Sequence, residues 1–236
     1  SLGRAVRFPT VGELYGATSG GALSFINDPN LQPEVSWTGE LSLEKDLASA
    51  GAGLARATLF HETTRDALYS QLVPGTSISR VQNVDKVRTW GLELAYSGPL
   101  PWFGRGLDGG ASLTWADSRT VANAANPASV DKWQPRVPRW RATAYATYQP
   151  DAQWAFTVAA RYSGRQYSSL DNSDVNGFAY MGASKYFTVD LRARYQLTRQ
   201  LASRAAAKHV FAVDFNPADG RVAVQRGAHM RRAQAD

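Results

Sequence analysis

A chain of 236 residues with a net charge of +6 has room for one or two soluble domains or a single barrel. It contains no cysteine, which excludes a disulfide framework and a thiolate metal site. Mean hydropathy is −0.34, and no segment nears the roughly 18 apolar residues of a membrane-crossing helix. A membrane β-barrel remains open, because its apolar residues are interleaved with polar ones.

The chain starts at Ser1 with no Met, no basic n-region and no apolar h-region, so a processed chain or an internal fragment is expected. In chain order, the first clear alternation runs from Val35 to Leu47. There Val35, Trp37, Leu41 and Leu43 oppose Ser36, Thr38, Glu40, Ser42, Glu44 and Asp46. Residues 54–65 follow less cleanly, with Ala55, Ala57 and Leu59 against Arg56, Thr58 and Glu62. Next, Trp90, Leu92, Leu94 and Tyr96 oppose Thr89, Glu93 and Ser97, and Ala111, Leu113 and Trp115 oppose Asp108, Ser112 and Thr114. Trp140, Ala142, Ala144, Ala146 and Tyr148 then oppose Arg139, Arg141, Thr143 and Thr147.

The sharpest case is Trp154, Phe156, Val158, Ala160 and Tyr162 against Gln153, Thr157, Arg161 and Ser163. At roughly 3.3 Å per residue its two aromatic ends lie about 26 Å apart, close to the apolar band of a membrane barrel with its aromatic girdles, about 25 Å. Phe187, Val189, Leu191, Ala193 and Tyr195 repeat the pattern against Thr188, Asp190, Arg192, Arg194 and Gln196, and 201–207 opens a last strand. Period-2 alternation over strands of this length predicts an all-β, antiparallel transmembrane sheet of about eight strands.

The connections alternate short and long: 48–52 short, 67–85 long, 99–106 medium, 120–136 long, 150–152 short, 165–184 long, 198–200 short. Short periplasmic turns and long extracellular loops are a membrane-barrel property. With long loops outside, Trp37, Trp90, Trp115, Trp140, Tyr162 and Phe187 fall at the outer rim, and Tyr96, Tyr148, Trp154 and Tyr195 at the periplasmic rim. A soluble sandwich or lipocalin-like barrel explains alternation but not two aromatic rims.

The stretch Arg7-Phe8-Pro9-Thr10-Val11-Gly12-Glu13-Leu14-Tyr15, followed by Asn27-Asp28-Pro29-Asn30-Leu31-Gln32-Pro33-Glu34, resembles the barrel region of TonB-dependent outer-membrane receptors. Asn83 to Glu93 is similar to a recurrent strand entry of that family, and Arg161-Tyr162-Ser163-Gly164 with Asp171-Asn172 to a later strand and loop. The prolines bound a loop, because each fixes φ and interrupts a ladder. Gly39 and Gly91 inside strands predict bends or close backbone approach. Glu13, Glu34 and Glu93 are expected to be inward carboxylates paired with wall arginines.

The resemblance implies a 22-stranded barrel, an N-terminal plug and a short box that engages TonB. The chain is expected to supply only the C-terminal part of that barrel, over 1–211, with no plug. Residues 212–236 do not alternate cleanly or end on an aromatic, and an irregular tail is expected there, from truncation or a shifted frame. The implied setting is the cell outer membrane of a Gram-negative bacterium. The implied partners are outer-membrane lipid, a ferric siderophore or similar scarce ligand, and the TonB-ExbB-ExbD system through the missing plug. The ligand contacts expected in outer loops and upper lumen are Tyr69, Arg136, Arg139, Arg165, Tyr167, Tyr180 and Lys185, where Arg and Tyr suit an anionic iron complex.

No catalytic site, cofactor, metal site or nucleic-acid partner is expected. His61, His209 and His229 lack metal-ligand spacing, and His61 is placed at a strand end. No serine sits in a nucleophile elbow. Gly51-Ala52-Gly53 and Gly104-Arg105-Gly106 read as tight turns, since no helix follows them to hold a phosphate. Two other readings stand beside the receptor segment: a complete eight-stranded barrel with a structural or adhesive role, closed by pairing its last strand with its first, and a soluble β-rich binding domain or enzyme.

Overall fold

The computed structural model describes residues 1–15, 25–26, 28–72, 79–173, 185–196, 202–215, 222–225 and 229–231, with side chains described for 1–15, 28–70, 80–173 and 185–196. One antiparallel meander dominates: β3 (Glu34–Asp46), β4 (Leu54–Leu72), β5 (Ser79–Pro99), β6 (Leu107–Ala122), β7 (Trp140–Tyr148), β8 (Trp154–Ser163), β9 (Lys185–Gln196) and β10 (Ala202–Phe215). Before it, β1 (Leu2–Arg7) pairs antiparallel with β3, and a short helix α1 (Val11–Tyr15) follows. The two-residue β2 (Phe25–Ile26) lies parallel to β5, and β11 (Val222–Gln225) and β12 (His229–Arg231) pair with β10.

Register turns the separate alternations into two continuous faces. Leu43, Ala57, Leu94, Leu113, Ala142, Tyr162 and Phe187 are successive cross-strand partners from β3 to β9. Toward the predicted outer rim, Leu41, Leu59, Leu92, Trp115 and Trp140 form a second such row. At the opposite rim Trp154 sits across from Tyr195 with ring centroids 4.6 Å apart. Leu41 and Leu43 are 72% and 73% exposed. A contiguous apolar face of this breadth is far beyond what soluble monomers leave in water, which removes the soluble reading.

The other face is polar, tied by bonds between residues directly opposite in register. Ser36 with Thr64 (2.7 Å), Ser42 with Thr58 (2.9 Å), Thr89 with Ser118 (2.7 Å), Ser112 with Thr143 (2.7 Å) and Thr147 with Thr157 (2.9 Å) share hydroxyl bonds. Thr38 donates to Glu62 at 3.0 Å, and Arg161 reaches diagonally to Asp190 at 3.1 Å. Such cross-strand pairs each stabilise a sheet by a few tenths to about 1 kcal/mol.

The short connections at 48–52 and 150–152 are built as expected, and 198–200 falls outside the described residues. In the β3–β4 turn Gly51 takes φ 68° and its N–H donates to the Ala48 carbonyl, a left-handed conformation that suits glycine.

Several expectations change. The segment 67–85 is mostly strand rather than loop, because β4 runs to Leu72 and β5 begins at Ser79, forming a hairpin that projects past the outer aromatic rim. The pattern there no longer alternates cleanly, because the hairpin packs against loops instead of separating lipid from lumen. His61 lies within β4, not at its end, and its ring sits 4.1 Å from that of its cross-strand partner Trp90. The closed eight-stranded barrel is not formed: the strand order runs from β1 to β11 as an open path, and among the described residues these end strands do not pair with each other. β1 was not foreseen as a strand; it covers the free edge of β3.

Candidate functional site

The two stretches that carried the family resemblance, together with Asn83, pin the outer end of the sheet. Thr10 and Glu13 form a reciprocal capping box on α1: the Glu13 N–H donates to the Thr10 hydroxyl at 3.3 Å, and the Thr10 N–H donates to the Glu13 carboxylate at 2.8 Å. Arg7 adds a 2.7 Å ion pair to Glu13 and reaches Glu34 at 3.9 Å. The bond from the Thr10 backbone, seconded by Arg7, holds the Glu13 carboxyl below its ordinary value of 4.5.

Residues 28–34 strap onto the projecting hairpin. Asp28 pairs with Arg80, and this bond is the main reason its carboxyl sits below the usual Asp value. Asn83 accepts from the Gln32 N–H at 2.8 Å and donates to the carbonyls of Gln32 (3.0 Å) and Asp66 (2.7 Å). The Leu68 N–H donates to Glu34 at 2.9 Å, and Leu31 is buried with Leu68 and Val81. Asn172, with φ 57°, accepts from the Trp133 N–H at 2.8 Å and donates to the Trp133 carbonyl at 2.9 Å. Glu13 and Glu34 thus have the arginine partner expected of them; Glu93 instead accepts from the Thr114 hydroxyl at 3.2 Å.

The predicted ligand contacts fall into two groups. Tyr69, on the projecting part of β4, packs against the buried cluster of Ala67, Val84, Val87 and Leu170. Burial is the main cause that pushes its hydroxyl pKa up; Glu34 and Glu62 act the same way, and Arg136 opposes them. Arg136 is held at φ 62° while its N–H donates to the Tyr167 carbonyl at 2.8 Å. Tyr69 and Arg136 therefore lie near two polar-face carboxylates at the outer mouth.

Arg139, Arg165, Tyr167 and Lys185 form the second group. They line an open cavity of about 320 Å³ together with Trp140 and Tyr162, members of the apolar row. Lys185 precedes Phe187 by two residues on β9 and so shares its face. Arg165 lies 4.6 Å from the Tyr167 ring, and Arg139 and Arg119 lie 4.2 Å and 4.6 Å from the Trp133 ring. Tyr180 falls outside the described residues. Among the described residues no three His, Cys, Asp or Glu side chains come together as metal ligands.

An antiparallel sheet with one exposed apolar face edged by aromatic rims, a hydrogen-bonded polar face and long extensions at one end is the wall of a membrane β-barrel. The family model "TonB dependent receptor-like, beta-barrel" matches residues 1–213, and the chain belongs to that family. It is 25% identical over 230 residues to the iron-regulated outer membrane virulence protein of Vibrio cholerae serotype O1, covering 92% of this chain and 33% of that protein. Its fold is similar to that of the copper transporter OprC (TM-score 0.65, 20% identity, 96% of this chain and 34% of that one). It is also similar to a mutant ferric enterobactin receptor of Pseudomonas aeruginosa in complex with enterobactin (TM-score 0.63, 20% identity, 89% and 32%). The chain thus spans about a third of the length of these relatives. The family and these structural neighbours are transport receptors, not enzymes.

Sequence reading found the pinning stretches but not what they hold. Asn83, Asn172 and Trp133 carry the contacts between loops, and an asparagine in a polar loop gives no sign of its partner. Lys185 could have been placed by parity with Phe187; Arg139 could not, since its contact with Trp133 depends on a loop folding back.

Proposed function

We propose that this chain forms part of the wall of an outer-membrane receptor in a Gram-negative bacterium, serving uptake of a scarce ligand, with a ferric siderophore favoured. The observation that carries the reading is the amphipathic sheet with open ends: its polar face suits a lumen, its apolar face suits lipid, and its end strands require further strands to complete a wall. An unpaired backbone group in lipid costs several kcal/mol, so the chain by itself transports nothing. Energy for uptake comes from the TonB-ExbB-ExbD system through a plug domain.

The siderophore preference draws on the ferric enterobactin receptor among the neighbours and on Tyr69 with Arg136 at the outer mouth. A phenol and a guanidinium suit an anionic catechol- or hydroxamate-bearing iron complex. The copper transporter among the neighbours keeps a second cargo in view.

The test is to express the chain with an export signal in receptor-deficient cells, alone and joined to a receptor's plug and remaining strands. The chain is expected in the outer-membrane fraction, with radiolabelled ferric siderophore accumulating only in the joined form. Recovery in the soluble periplasm overturns the membrane placement, and uptake by the chain alone overturns the segment reading.

A further inference from the structure

The apolar face is not smooth. Below the Arg139–Arg165–Lys185 cavity, a cavity of about 390 Å³ opens between Leu94, Leu113, Tyr162 and Phe187. A third, of about 280 Å³, continues it toward Leu100 and Val158 near the other rim. The upper two share Tyr162, and the lower two share Tyr96, Ala111, Ala144 and Ala160, so the three form one furrow. Register makes it: Ala111 faces Ala144, which faces Ala160, and the larger neighbours on β5 and β9 stand up as banks.

The two ends of the furrow differ in charge. Its lower length is lined almost wholly by carbon. Its upper end carries Arg139, Arg165, Lys185 and Tyr167, and among the described residues no carboxylate lines it. Arg139 and Arg165 have no carboxylate partner among the described residues; their contacts are aromatic rings. A cationic head above an apolar trough, at the aromatic rim, is complementary to a phosphorylated head with acyl chains hanging from it. A siderophore in the lumen would meet the other face of the sheet.

We propose that this furrow binds one phosphorylated acyl lipid of the surrounding outer leaflet, with Arg139, Arg165 and Lys185 gripping the phosphate and an acyl chain lying between Tyr162, Leu113 and Ala144. The proposal rests on the membrane placement argued above. Arg supplies paired donors for phosphate oxygens, while Trp140 and Tyr162 fix the depth at which head meets tail. Such a lipid would fill a gap that fluid chains fill poorly and would tie loop residues to strands β7, β8 and β9.

The experiment takes the full chain in lipid–detergent micelles and reads retained lipids by native mass spectrometry, with circular dichroism on every sample. Phosphatidic acid is the probe, and diacylglycerol with the same chains is the uncharged control. One phosphatidic acid is expected to stay bound at roughly tenfold lower lipid concentration than diacylglycerol. The exposed pair R139Q/R165Q and the triple R139Q/R165Q/K185Q should bring it down to the control. A144W, which fills the trough without changing charge, should weaken it too, and K45Q, at the far end of the same face, should not.

A chain that shows sheet signal but holds phosphatidic acid no better than diacylglycerol overturns this proposal alone. So does undiminished retention by the folded R139Q/R165Q pair. A chain with no sheet signal in lipid overturns the membrane placement and this proposal with it.

Discussion

Phe60 and Gly91 face each other across β4 and β5, and the Phe60 ring lies on Gly91 so closely that a Cβ there would overlap its Cζ and Cε atoms. This is the close approach that a glycine inside a strand predicts. It puts an aromatic ring on the polar face, in the row that runs from Glu40 through Phe60 and Gly91 to Ala116.

Gly91→Ala must push the ring aside, and such overpacking costs about 1–3 kcal/mol. Phe60→Ala on its own also destabilises. The double variant is expected to be milder than the sum of the two, because the shared clash is gone. Urea unfolding in detergent micelles, followed by tryptophan fluorescence, measures all three; strict additivity would show that the ring does not bear on Gly91.

Charge should discriminate the two faces. Ala144→Arg, in the middle of the apolar row, is expected to cost about 2–4 kcal/mol in a bilayer. Thr143→Arg, one residue away on the polar face, should lose little beyond the Ser112 hydroxyl bond, about 1 kcal/mol. Equal costs in lipid vesicles would mean that the assignment of faces is wrong.

Acid should loosen α1 before the strands. The Glu13 carboxyl titrates below its ordinary value in the folded chain, mainly because of the Thr10 backbone bond. A depressed carboxylate stabilises fully above the ordinary value of 4.5, and that contribution is lost as pH falls through the depressed one. Hydrogen exchange at Val11–Tyr15 should therefore gain protection as pH rises through this window, once the intrinsic rate is corrected for. Glu13→Gln should abolish that dependence; an unchanged profile would remove Glu13 from the role.

Asn83→Ala strips three bonds from the strap and leaves the Asp66 carbonyl without this donor. Losing these half-buried and exposed bonds costs about 1 kcal/mol. Limited proteolysis should open residues 28–33 while the membrane strands stay protected. Asn83→Asp keeps the acceptor for the Gln32 N–H but loses both donated bonds, and an intermediate result is expected.

How much of this was legible beforehand varies by residue. The rows from Val35 to Leu43, Trp90 to Tyr96 and Trp154 to Tyr162 lie on one face as their alternation requires, because pleating sends successive side chains to opposite sides whatever the rest of the chain does. The Gly51 turn and the two aromatic rims were readable for the same local reason. The projecting hairpin was not, since Leu68 and Val81 are buried by Leu31, which comes from a segment distant in sequence. Nor was the partner of Asn83, which lies 51 residues away at Gln32.

The sequence by itself determined a two-faced antiparallel sheet for a membrane, because period-2 patterning is a local property of the strand. Only the tertiary structure decided that Arg139, 4.2 Å from the Trp133 ring, shares one cavity with Lys185, Arg165, Trp140 and Tyr162, and that Tyr69 and Arg136 stay near Glu34 and Glu62. Those placements depend on register across several strands and on where long loops return, and no local pattern encodes a contact whose two halves lie in separate loops.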